Sequence, residues 1–211
     1  MKEYHKIQSI FMRDERTNKI IEGQYALPEF EILKDVPWTF TEKVDGTNIR
    51  VMWNGENVVF GGKTDNAQIP VQLLYKLQEL FGGTAKKELF KAAFQDGAEV
   101  CLYGEGYGAK IQKGGGNYNA TGTSFVLFDV KVGGWWLKRG DVEDVAKKLG
   151  IDAVPIIGEG TLTDAVEKTR VGFNSQWGAF IAEGIVMRPK VELFTRRGDR
   201  IIAKIKTKDF K

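Results

Sequence analysis

The chain has 211 residues, 42% hydrophobic and 28% charged, with 31 Lys+Arg against 28 Asp+Glu and a net charge of +3. That is enough chain to bury a real core in an ordinary globular protein, and the small positive excess permits a nucleic-acid partner without requiring one. One cysteine (Cys101) and one histidine (His5) exclude an internal disulfide and a four-ligand zinc site, and any histidine-based triad or iron site would rest on His5 alone.

Along the chain, residues 1–36 read as an irregular, polar segment. It lacks the apolar stretch of a signal peptide, and no run of 18 apolar residues follows, so a cytoplasmic protein without a membrane span is expected. NIRVMW (48–53) and NVVF (57–60) flank Asn54–Gly55, which predicts a hairpin with a type I′ turn. VQLLYKLQELF (71–81) has apolar residues at helical spacing and stops at Gly82–Gly83; AKKELFKAAF (85–94) follows, with Thr84 as a candidate cap. EVCLYG (99–104) is a predicted strand, KGGGNYNATGTS (113–124) a mobile loop, and SFVLFDVKV (124–132) with WWLKR (135–139) a second hairpin. DVEDVAKKL (141–149), capped by Asp141 and ended by Gly150, and DAVEKTRV (164–171), capped by Thr163, are predicted helices. GIVMRPK (184–190) and RIIAKIK (200–206) are predicted strands. Strands gather in hairpins and do not alternate strictly with helices. This predicts an α+β fold with mainly antiparallel sheets flanked by helices.

Three patterns could carry chemistry. In EKVDGTN (42–48), Lys43 and Asp45 share parity, so they share a face if the strand continues, and Gly46 permits a turn or a close backbone approach. Lysine has a reference pKa of about 10.4 and becomes a nucleophile only where cations or burial favour the neutral amine; the plainer alternative is a surface pair beside a turn. Glu105 directly follows a predicted strand between glycines, Asp129 follows Phe128, and Glu183 opens a predicted strand beside Gly184; such carboxylates suit a divalent cation or ribose hydroxyls, or are solvated loop groups. In AKIKTKDF (203–210), Lys204 and Lys206 share one face and Ile205 takes the other: a phosphate clamp, or the exposed side of an amphipathic strand. Two apparent nucleotide motifs fail. FGGKT (60–64) has Asn57 where a P-loop needs glycine, and GEGYG (104–108) has the wrong spacing for a dinucleotide fingerprint.

Taken in order, KVDGTN (43–48), YGEGYG (103–108), FVLFDV (125–130), EGIVMRPK (183–190) and KIK (204–206) resemble motifs I, III, IIIa, IV and V of the covalent nucleotidyltransferases: polynucleotide ligases and mRNA capping enzymes. The resemblance covers about residues 38–210. Asn48 at the sixth position of the first motif, IEGQYALPEFEIL before it and GGKTDNAQIP after it are similar to small phage-type RNA ligases of the RNA ligase 2 type. The resemblance implies a single adenylyltransferase domain over 1–211 without a C-terminal OB or helical domain. It implies an ATP-dependent enzyme using Mg²⁺ or Mn²⁺ that joins a 5′-phosphate to a 3′-hydroxyl at RNA ends or in a nicked RNA duplex, and a monomer is expected. It implies Lys43 as the nucleophile forming lysyl–AMP, Glu42 at the adenine edge, Asp45 and Asn48 near the ribose and acceptor phosphate, and Glu105 on the ribose. Phe128 would stack on adenine, Glu183 would hold the metal with Asp45, and Lys204 and Lys206 would contact the α-phosphate. Lys63 stands where the family usually has arginine; a lysine gives no bidentate contact. The alternatives are a minimal ATP-dependent DNA ligase or guanylyltransferase, an adenylyltransferase module that needs a partner for sealing, and a non-enzymatic, degenerate nucleotide- or RNA-binding module.

Overall fold

Residues 3–94 and 97–211 are described by a computed structural model of the chain, which divides into two compact units. The first comprises residues up to Tyr4 and Asp45–Val154; the second comprises His5–Val44 and Pro155–Lys211.

In the first unit, alternating apolar residues build a six-stranded sheet. Five strands lie in the order Asp152–Ala153, Thr123–Val132, Val100–Gly108, Thr47–Trp53 and Val58–Gly61, and Trp135–Trp136 pairs separately with Thr123–Val132. Every pairing is antiparallel except that of Asp152–Ala153. One face presents Ile49, Val51, Trp53, Val100 and Leu102 to a single core, as the two-residue period of a strand requires. Helix Val71–Phe81 meets that core with Leu73, Leu77 and Phe81, spaced four apart and therefore on one stripe. Thr84–Ala93 adds Phe90, stacked on Trp53 at 5.2 Å, and Arg139–Leu149 adds Val142, Val145, Ala146 and Leu149.

In the second unit, a five-stranded sheet runs in the order Gln8–Ser9, Ala203–Lys206, Gly184–Pro189, Trp38–Glu42, Ile156–Gly160. Only the Gln8–Ser9 pairing is parallel. Trp38, Phe40, Ile185, Met187, Ala203 and Ile205 form its core with Leu162, Ala165 and Val166 of helix Leu162–Val171. A two-stranded ribbon, Phe11–Arg13 with Ile20–Tyr25, and helix Pro28–Ile32 complete the unit. No helix among the described residues is long and apolar enough to cross a membrane.

The α+β class with mainly antiparallel sheets is as predicted, and several local expectations change. Residues 3–36 of the segment expected to be irregular instead supply three strands and a helix. The first hairpin closes through four residues, not a type I′ pair: Trp53 pairs with Val58, and the Asn54 carboxamide accepts the backbone N–H groups of Glu56 and Asn57. That side-chain cap replaces the two-residue turn. Helix 141–149 begins earlier, at Arg139, with Lys138 at its cap, and Thr84 likewise lies inside its helix behind Gly83. Thr161, not Thr163, caps Leu162–Val171, in a reciprocal box with Asp164. The segment 113–124 is not simply a loop: Gly115–Tyr118 forms a helical turn, and strand Thr123–Val132 starts within it.

Candidate active site

The second unit gathers three of the charged residues read from the sequence. Gly184–Pro189 lies between Trp38–Glu42 and Ala203–Lys206, antiparallel to both. The carboxyl ends of the outer strands therefore meet at the amino end of the middle one. Lys43 follows the first strand, Lys206 ends the second, and Glu183 precedes the third. Glu183 Oε2 lies 2.6 Å from Lys43 Nζ, and Oε1 lies 2.7 Å from Lys206 Nζ. The Lys43 and Glu183 side chains are only 18% and 13% exposed, so the pairs are partly screened from water.

Backbone bonds fix this cluster. Lys43 N–H donates to Gly184 C=O at 2.9 Å, and Thr207 N–H donates to Glu183 C=O at 2.8 Å. Gly184 pairs with Lys206, and a Cβ on Gly184 would fall 2.1 Å from Ile205 O. Only glycine allows the strands to approach this closely. Lys204 and Lys206 share the partly exposed face of their strand while Ala203 and Ile205 are buried, as the alternation predicts.

Glu42 is 1% exposed. Its Oε1 accepts the Ser175 hydroxyl at 2.6 Å, and its Oε2 accepts the Gln176 backbone N–H at 2.7 Å. Burial pushes its pKa above the ordinary glutamate value, and these two hydrogen bonds oppose that shift. Glu42 thus ties the 174–177 segment to its strand. No local pattern around Ser175 in the sequence signals this partner.

The first unit holds Asp45, Asn48, Lys63, Glu105 and Phe128. The strand carrying Glu42 ends before Lys43 and a new one starts at Thr47, so the shared-face argument for Lys43 and Asp45 does not apply. Asp45 N–H donates to the Tyr118 hydroxyl, and Gln112 Nε2 donates to Gly46 C=O. The segment 112–118 therefore packs on the turn at Asp45. Gly46 serves the close approach expected of it, since a Cβ there would lie 2.3 Å from Gly106 O.

Glu105 does not end its strand. Val100–Gly108 runs through it because the space a Cβ would need at Gly104 and Gly106 is filled by Phe125 and Leu73. Glu105 pairs directly with Asn48, so their side chains share one face. Asn48 Oδ1 is buried with no hydrogen-bond partner among the described residues.

Phe128 occupies the irregularity where Tyr103 pairs with Asp129 and Gly104 with Leu127. A bulge of this kind re-aims side chains, and here Tyr4 meets the Phe128 ring edge-on at 5.1 Å. Asp129, expected at a strand end, is instead fully buried within the strand and accepts the Tyr4 hydroxyl at 2.7 Å. Lys63 is exposed in the turn after Val58–Gly61, a turn held by buried Arg50 through Gly62 C=O and Asp65. Neither Tyr4 nor Arg50 carried a local sequence signal.

Among the described residues no three His, Cys, Asp or Glu side chains form a ligand group. Glu183 is a hard oxygen donor with part of its surface open, which fits a hydrated ion that keeps most of its waters.

The RNA ligase family model matches residues 36–206. The chain belongs to the RNA ligase family. Its fold is similar to that of Naegleria gruberi RNA ligase with PPi (TM-score 0.65, 18% identity, 87% of this chain and 53% of that one). A point mutant of the same ligase with ATP and Mn also matches (TM-score 0.65, 16% identity, 97% and 60%), as does one with AMP and Mn (TM-score 0.65, 17% identity, 87% and 53%). The chain spans between half and two thirds of the length of these ligases. No curated protein sequence matches it.

Proposed function

We propose that the chain is an ATP-dependent RNA ligase that works through lysyl–AMP on Lys43. The observation that carries this reading is the cluster in which Glu183 bridges Lys43 at 2.6 Å and Lys206 at 2.7 Å. A salt-bridged ammonium cannot attack phosphorus, so Lys43 must first lose a proton, to Glu183 or to water. The neutral amine then forms a P–N bond at the ATP α-phosphorus as the P–O bond to pyrophosphate breaks. An oxygen of the RNA 5′-phosphate next displaces the lysine. The 3′-hydroxyl finally attacks that 5′-phosphorus and releases AMP.

Lys204 and Lys206 present charge where it develops on the transferring phosphoryl group, the main source of catalysis in such reactions. Glu183 would hold Mg²⁺ or Mn²⁺ through water, and the resemblance assigns Asp45 the same task. When bound, the ion offsets the negative charge of the phosphates. Asn48 and Glu105, paired on one face, suit ribose hydroxyls, and the unsatisfied Asn48 Oδ1 is an acceptor awaiting a donor. Phe128 offers its ring to adenine, Glu42 shapes the segment beside the base, and Lys63 supplies a single-point phosphate contact. The Naegleria ligase structures with ATP, AMP and Mn support this choice of nucleotide and metal.

Sealing assays test the reading. Nicked RNA duplex, single-stranded RNA and nicked DNA are each incubated with ATP or GTP and Mg²⁺. RNA sealing with ATP is expected. Sealing of DNA alone, or labelling by GTP alone, favours the alternatives, and labelling without sealing identifies a module that needs a partner.

A further inference from the structure

We propose that a cation-lined cavity at the outer edge of the five-stranded sheet grips the phosphodiester backbone of the RNA strand. The inference rests on the RNA ligase reading and adds a binding surface to it. The cavity measures about 580 Å³ and is lined by Lys6, Arg196, Arg197 and Arg200 against two carboxylates, Glu29 and Asp199.

The arginines are presented by a built hairpin. Phe194 bridges Arg200, Thr195 N–H donates to Asp199 C=O at 2.7 Å, and Gly198 N–H closes the tip onto Thr195 C=O at 2.9 Å. Gly198 has φ +82°, which favours glycine. Arg200 anchors the base: it is buried and donates to Glu192 at 3.2 Å. Arg196 and Arg197 occupy the two central positions of the turn and are exposed, and neither has an ion-pair partner among the described residues. Two unpaired guanidiniums on a fixed turn meet phosphate well, since each can bond bidentately.

Two further observations favour a nucleic-acid strand over a free anion. Phe194, at the base of the same hairpin but outside the cavity lining, is 52% exposed, and exposed aromatic rings combined with cations are how proteins hold single strands irrespective of sequence. The cavity also adjoins the strand of the candidate site. Gln8, which lines it, pairs with Ala203, and the next residue, Ser9, pairs with Lys204. A strand seated on the hairpin can thus continue along the same sheet edge toward Lys204 and Lys206.

The test compares wild type with R196A/R197A and with R196K/R197K, after equal melting temperatures confirm the fold. Binding of a 5′-phosphorylated RNA oligonucleotide is measured from low to moderate salt. For the alanine pair we expect affinity to fall by about tenfold or more and the salt slope to flatten by roughly 1.4 to 1.8, the value of two lost phosphate contacts. The lysine pair keeps most of the slope. Unchanged affinity and slope in the alanine pair overturn the proposal, as does a loss confined to inorganic pyrophosphate, which marks a free-anion site. F194A tests stacking separately: weaker RNA binding with an unchanged salt slope supports it, and unchanged binding removes the aromatic platform from the proposal. Labelling of the wild-type protein by ATP does not involve RNA, so failure of the ligase reading and failure of this surface give different results.

Discussion

Lys43 and Glu183 lie 140 positions apart in the chain, yet Lys43 Nζ rests 2.6 Å from Glu183 Oε2. The same carboxylate holds Lys206 through its other oxygen. Replacing Glu183 with glutamine keeps the volume and removes the shared counter-charge and proton acceptor. We predict a fall in lysyl–AMP formation on the order of 10²-fold or more, with a small change in melting temperature because partly exposed ion pairs contribute little to stability. Labelling at the wild-type rate would reduce the pair to a structural contact.

Glu42 gives a pH-dependent prediction. Its pKa is raised in the folded state, chiefly by burial, so folding favours its protonated form. The stabilisation linked to that proton is full below the unfolded pKa and is lost as pH rises through the raised value. Glutamine mimics the protonated form at every pH. Wild type should therefore lose stability relative to Glu42→Gln as pH rises from the ordinary glutamate range toward neutrality. Parallel melting curves for the two proteins across that window would contradict the assignment.

Gly184→Ala tests how the cluster is held. Its Cβ would fall 2.1 Å from Ile205 O, a backbone atom, so strands must separate. A cost of about 1–3 kcal/mol is expected, seen as a lowered melting temperature, together with loss of labelling as Glu183 moves from Lys206. An unperturbed variant would show that the close approach is not needed.

Asn48 Oδ1 is buried and unsatisfied among the described residues. Removing an unpaired buried acceptor relieves a cost instead of adding one. Asn48→Ala should melt no lower than wild type while its sealing rate falls, the trade-off expected where a site keeps strain for its ligand. A clear drop in melting temperature without loss of sealing would reverse this reading.

Periodicity made much of the fold legible. Helix 71–81 and the strands around 48–53 and 184–189 follow directly from apolar spacing. Strand Trp38–Glu42 and its partner Ile156–Gly160 carry weaker signals: the first runs directly into the motif at Lys43, and the second is five residues long with Gly158 and Gly160 inside it. The glycines on either side of Glu105 predict a strand end there, because glycine ordinarily weakens a strand. Here Phe125 and Leu73 fill the glycine positions and the strand continues. Lys43, Lys206 and Glu183 were each legible as candidates, and antiparallel pairing unites them. The hold of Ser175 on Glu42 and of Tyr4 on Asp129 spans 133 and 125 positions, and such contacts leave no local trace.

Every later step of the proposed reaction depends on Lys43 carrying the nucleotide. Incubating the protein with α-labelled ATP and Mg²⁺, then fragmenting it and locating the modified peptide by mass, tests this most directly. One AMP is expected on the peptide containing Lys43, released on adding pyrophosphate and absent in Lys43→Ala. Label on another residue, or equal labelling of Lys43→Ala, would contradict it.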